Sequence, residues 1–458
     1  MKFTRRRLLG SAAAAALAGG GIYELVDQLA GSPARTVPPV AGLAPEQHLL
    51  ELGTTESEGV EVVVPPLHSE IVTATVAAGA DLRSAQHDLE NVLRGLDGHY
   101  EANASGLGVT LAWGLPYFER LPAAWAEHAP HDVRAGKPAL LPPRRFPSDP
   151  EATILEDNDV AILLRSDTRA HIDDARTAIF ALPDLKMTSI RRGFAGGGFA
   201  GKTSLPKRMA MAAGVRGADL IPDTSELFLG FTSTQKAGLG PGKIACFETL
   251  GFVDLRGGYF RHGTHMHLSH ITEDLEAWYL NFDFGERVLT VFRPGLTGIK
   301  DGTQTVRQAP QDVSTQAELE KEFRKTGRFG HSGAIQPTSR LQQDVVGPDG
   351  TQYPKGTAIP QRVDFNTLDN PFVWSIDPAR DTLSKTPAAG VHFAVFNPSS
   401  DDFERNRLAM DGVLPDGTKL PVGPGSRAQG FNSVLTTTHR QNYLVPPREH
   451  RSFPLAEL

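Results

Sequence analysis

Asp159-Val-Ala-Ile-Leu-Leu-Arg165 is an apolar run that passes through the polar turn Ser166-Asp-Thr168 into a stretch, 170–182, with helically spaced apolar residues. A run of this length bounded by turn formers reads as a buried strand. The same grammar returns at Gly390-Val-His-Phe-Ala-Val-Phe396, followed by a helical pattern over 401–410. Around the first run, Val62-Val-Val64, Ile71-Val-Thr-Ala-Thr-Val76 and 107–113 read as strands, and 81–96 as a helix opened by an Asp cap. Around the second, 265–271 reads as a strand and 274–279 as a helix. This pattern predicts an α+β protein in two halves, each a sheet with helices on one face, rather than a doubly wound sheet. A glycine-rich basic stretch, 191–214, separates halves assigned to 45–215 and 220–458, and the polar segment 308–369 reads as loops wrapping a site.

The chain has 458 residues, long enough for two domains, and 40% hydrophobic against 22% charged residues excludes a disordered chain. Its 46 Gly and 34 Pro imply many turns and long loops without a collagen-like period. The net charge of −7, with no basic stripe beyond the N-terminus, argues against a nucleic-acid partner. A single cysteine, Cys246, excludes an internal disulfide framework, a CxxC pair and multi-cysteine metal centres. Chemistry is left to His, Asp, Glu, Arg or a bound cofactor.

Thr4-Arg-Arg-Arg-Leu-Leu9 followed by the small apolar run 11–21 reads as a twin-arginine-type signal, recognised by a machinery that exports folded proteins. The run is shorter than the ~20 residues of a spanning helix, so a cleaved signal over 1–36 and no stable membrane span are expected. The expected location is periplasmic or extracellular. With five basic and two acidic residues in 1–36, the remainder carries about −10.

Three constellations carry potential chemistry. Gly196-Gly-Gly-Phe-Ala-Gly-Lys-Thr203 matches GxxxxGK[ST] formally, but Thr188-Ser-Ile-Arg-Arg-Gly-Phe194 is a poor strand to lead into a phosphate loop, and Pro206 falls where a first helical turn should run. A flexible glycine loop is the expected reading. In His262-Gly-Thr-His-Met-His-Leu-Ser-His270, strand periodicity puts His265 and His267 on one face, with His262 and His270 on the other. Two same-face imidazoles suit a metal that finds a third ligand elsewhere, or are paired polar groups. His331, in Arg328-Phe-Gly-His-Ser332, is an isolated histidine in a loop-rich region, followed by Gln361-Arg-Val-Asp-Phe365. It is either structural or an axial imidazole for a haem iron, with an always-charged arginine opposite.

The order of motifs resembles the dye-decolorising (DyP-type) haem peroxidase superfamily, exported proteins of two ferredoxin-like halves. The resemblance rests on Gly106-Leu-Gly-Val-Thr-Leu-Ala-Trp-Gly-Leu-Pro-Tyr-Phe-Glu-Arg120, Phe146-Pro-Ser-Asp149, Asn158 to Asp167, Gly257-Gly-Tyr-Phe260, His267-Leu-Ser-His-Ile-Thr-Glu-Asp-Leu-Glu-Ala-Trp278, Gly390 to Phe403 and Tyr443-Leu-Val-Pro-Pro447. It implies haem b held by His331 as proximal ligand, Arg362 as distal arginine with Asp364 as its polar neighbour, and hydrogen peroxide plus a small reducing substrate as partners. The family's Gly-x-x-Asp-Gly loop falls on Gly230-Phe-Thr-Ser-Thr234, so Ser233 stands where the family has its distal aspartate. A serine hydroxyl cannot by itself shuttle a proton near neutral pH. The spacing from His331 to Arg362 also exceeds the family pattern, which an insertion at 345–355 explains. The expected function is an exported DyP-type peroxidase with activity weakened by Ser233. The alternative is a non-catalytic exported binding protein on the same fold, without haem or with a metal on His265 and His267.

Overall fold

Each half of the chain runs strand, helix, strand, strand, helix, strand. The computed structural model describes residues 22–30, 37, 39–40, 42–57, 60–132, 135–196, 204–223, 225–230, 258–293, 314–346, 350, 352–371, 386–423 and 428–458. The first half comprises β1 (His68–Val76), α1 (Leu82–His99), β2 (Gly108–Gly114), β3 (Val160–Ser166), α2 (Arg169–Phe180) and β4 (Leu185–Phe194). The second comprises β5 (Thr264–Glu273), α3 (Leu275–Asn281), β6 (Phe365–Thr367), β7 (Gly390–Asn397), α5 (Ser400–Met410) and β8 (Leu435–Val445), with α4 (His331–Ser339) between α3 and β6.

Antiparallel pairing orders the first half β4-β1-β3-β2 and the second β8-β5-β7-β6, the same permutation twice. Two ferredoxin-like halves are therefore present, as the sequence predicts. Asn366 of β6 pairs with Phe194 of β4, while Tyr443 and Leu444 of β8 pair with Gly114 and Trp113 of β2. These two seams close the eight strands into one ring.

Strand alternation sends side chains to the two faces of that ring. Ile71, Leu163, Met266, Leu268, Phe396 and Tyr443 meet in a cluster fed by both halves. On the other face of the first half, Ala74, Val109, Leu111 and Ile162 pack against α1 and α2. The Asp81 side chain accepts hydrogen bonds from the backbone N–H of Arg83 and Ser84, opening α1, whose Ala85, Leu89, Leu93 and Leu96 fall on one face and are buried.

Four local readings are corrected. The stretch read as a poor strand is the ten-residue β4, and its polar side chains are paired on both faces. Ser189 and Thr188 bond to Thr73, Arg191 grips Glu156 through both carboxylate oxygens at 2.5 and 2.7 Å, and Arg192 reaches Glu70 at 2.9 Å. Leu205–Ala212 is a helix capped by Ser204, and Pro206 sits in its first turn, where a missing N–H costs nothing. Residues 197–203 of the glycine motif lie outside the described residues. The polar segment 308–369 holds helices Gln316–Thr326 and α4 besides loops, and Val345–Val346 pairs with Gln352–Tyr353, a small hairpin that takes up extra length between His331 and Arg362. Finally, the strand of the histidine cluster starts at Thr264, so His262 precedes it, at φ 67° and 3.1 Å from Glu46.

Ile22–Glu24 and Leu25–Ala30, within the segment read as signal, form a short helical element packed on the second half. Val26 is fully buried, and the Tyr23 hydroxyl bonds Asp369 at 2.8 Å, Thr367 at 2.9 Å and the Leu368 N–H at 2.9 Å. Tyr23→Phe leaves buried partners unmet and is expected to lower stability by about 1–3 kcal/mol. Urea unfolding measures this, and an unchanged midpoint would show that the contact contributes nothing.

Candidate functional site

A cavity of about 280 Å³ opens beside the second half, walled by β7, β5, α4 and α5. Alternate residues of β7, Val391, Phe393, Val395 and Asn397, face it, while Ala394 and Phe396 point into the ring. On β5, Ser269, Ile271 and Glu273 face it, and on α5, Phe403, Asn406, Arg407 and Met410 repeat at helical spacing.

His331, Arg362 and Asp364, three of the four residues expected in the site, line this one cavity. Ser233 lies outside the described residues. His331 is the first residue of α4 rather than part of a loop. Gly330, just before it, passes so close to Phe292 that a Cβ there would lie 2.4 Å from the Phe292 carbonyl oxygen. Gly430, at φ 57°, brings the following Phe431 ring to 4.6 Å from the imidazole. Nδ1 of His331 is buried and has no hydrogen-bond partner among the described residues. Burial, with the Arg362 and Arg407 charges, pulls its pKa down to about 3, so the ring is neutral at working pH. Gln361–Arg362 pairs with β7, and Asp364 follows with its Oδ1 3.6 Å from the guanidinium.

The Phe146-Pro-Ser-Asp149 motif supplies structure to the same wall. Asp149 is buried and holds Arg407 at 3.2 Å and Arg440 at 2.6 Å, and Arg440 lies over the Phe146 ring. Arg340 also lines the cavity, and burial lowers Arg340 and Arg440 only to about 10, so both stay cationic. Sequence reading did not assign Arg340, Arg407, Arg440 or Glu273 to the site. The helical spacing of 403–410 was the available signal for Arg407; nothing local marked the others.

His265 and His267 do share a face of β5, but His267 is engaged on both nitrogens, at 2.7 Å by Asn442 and 2.6 Å by Ser269, and stacks on Phe403. His270 bonds Thr438 at 2.6 Å from the opposite face. Among the described residues no group of three or more His, Cys, Asp or Glu is arranged to hold a metal ion. Nor is any helix among them long and apolar enough to cross a membrane.

Solved structures share this architecture. A DyP-type peroxidase from Cellulomonas bogoriensis matches 88% of this chain and 96% of its own at 17% identity, with a TM-score of 0.50. A Rhodococcus jostii DypB variant in complex with heme matches 85% and 95% at 13% identity and a TM-score of 0.49. A dye-decolorizing peroxidase from Bacteroides thetaiotaomicron matches 85% and 98% at 11% identity and 0.48. The ring of two ferredoxin-like halves is thus a DyP-type fold. The chain belongs to the family of unknown function DUF7405, whose model matches residues 66–447. No curated protein matches the sequence.

Proposed function

We propose that the protein is an exported haem-dependent peroxidase of the DyP type, using hydrogen peroxide to oxidise a small reducing substrate. The observation that carries this reading is His331, a neutral imidazole that lines one cavity together with Arg362. The donor set suits haem b: one imidazole, apolar walls from Val391, Phe393, Val395 and Ile335 for a flat ring, and Arg340, Arg407 and Arg440 to meet its carboxylates. The volume is near the lower end of small-molecule sites.

When bound, haem supplies the redox chemistry. His331 would hold the iron through a lone pair that stays unprotonated well below neutral pH. Arg362, permanently charged, stabilises negative charge developing on peroxide, and Asp364 orients that guanidinium. The Ser11 to Gly21 run and its arginines support export by the twin-arginine machinery to the periplasm or beyond, after folding.

Adding haem b to the purified protein and recording the visible spectrum tests the reading. A Soret band is expected, and its loss in His331→Ala. No band would refute haem binding, and a band unchanged in His331→Ala would refute the ligand assignment.

A further inference from the structure

Glu273 ends β5, where its backbone N–H donates to the Ala389 carbonyl at 2.9 Å, and its side chain enters the cavity wall. Its Oε2 is buried and has no hydrogen-bond partner among the described residues. A buried carboxylate usually answers to a cation or to several N–H donors. Glu273 is faced instead by Asp364, from the segment leading into β6, and by Tyr279 of α3. Arg362 lies against Asp364, and Arg287 covers the Tyr279 ring. Burial first, then the Asp364 charge, pushes the Glu273 carboxyl up to about 8. A group in this condition passes a proton in either direction near neutral pH.

We propose that Glu273 is the proton-exchanging carboxylate of the cavity, in the role that Ser233 cannot fill. This rests on the haem-peroxidase reading for its partner, a weak acid such as hydrogen peroxide or hydrogen cyanide that binds as its anion. The H–O or H–C bond of the incoming acid breaks, the electron pair stays on the ligand, and an O–H bond forms on Glu273. β5 delivers this carboxylate to the cavity wall.

Two measurements test it. In haem-free protein, an infrared titration from about pH 6 to about pH 10 is expected to show a protonated carboxyl band that fades near pH 8. That band should be absent in Glu273→Gln and fade at lower pH in Asp364→Asn, where the repelling charge is gone. In haem-loaded protein, Glu273→Gln is expected to slow cyanide association about a hundredfold, in the range a positioned base contributes, with the Soret band retained. Glutamine copies the shape of the neutral acid, so the variant keeps the fold. A wild-type band that persists in Glu273→Gln, or cyanide association unchanged in that variant, overturns the proposal. If the protein takes up no haem, the peroxidase reading falls, and the infrared band still decides whether Glu273 holds the proton.

Discussion

Lowering the pH from 7 to 5 is expected to destabilise this protein severely. Burial lowers the pKa of His48, His265 and His331 to about 3 and of His439 to about 4, and drives His267, His270 and His392 down as well. In the unfolded chain each titrates near 6.5, so between about pH 3 and pH 6.5 the unfolded state binds more protons. Stability from these groups is complete above about pH 6.5 and falls as the pH falls. At pH 5, His48, His265 and His331 would each forfeit about 2 kcal/mol. Glu273 and Asp369, whose pKa values burial raises, act in the opposite sense and offset part of the loss. Since a native protein holds only about 5–15 kcal/mol, seven such histidines consume much of it. Urea midpoints at pH 7, 6 and 5 should drop steeply, and equal midpoints would refute the account.

Glu156→Ala is expected to cost about 3–5 kcal/mol, because it removes the carboxylate that balances the buried Arg191 guanidinium inside the ring. Replacing the pair together, Arg191→Met with Glu156→Leu, should recover most of that loss, since apolar groups need no partner there. Chemical denaturation of the two variants at pH 7 measures both. A loss below about 1 kcal/mol in Glu156→Ala would mean that water reaches the arginine.

The sequence makes plain those elements whose burial is apolar. β3 and β7 announce themselves as continuous apolar runs, and α1 by its Asp81 cap and periodic leucines. β4 was hidden because Ser189 and Arg191 face inward, where a polar residue normally argues against a core strand; their partners, Thr73 and Glu156, are remote in sequence. α4 was hidden because Gly333, Pro337 and Ser339 are poor helix formers, held by packing rather than by propensity. A resemblance in motif order named His331, Arg362 and Asp364, and the structure brings these three to one cavity. Asp149 and Arg440 are 291 positions apart and meet only because the ring closes. Glu273 reads as an ordinary exposed strand end until Asp364 is seen beside it.

The closing seam also sets an order of events during synthesis. β8, Leu435–Val445, pairs with β5 of its own half and with β2 of the other, yet it leaves the ribosome after the other seven strands. Until then β2 keeps an open edge, and β5 lacks one of its two neighbours. Both are invitations to another chain. Nascent protein therefore depends on β8 to stop being sticky, and a product truncated before Leu435 should aggregate rather than persist as half a ring.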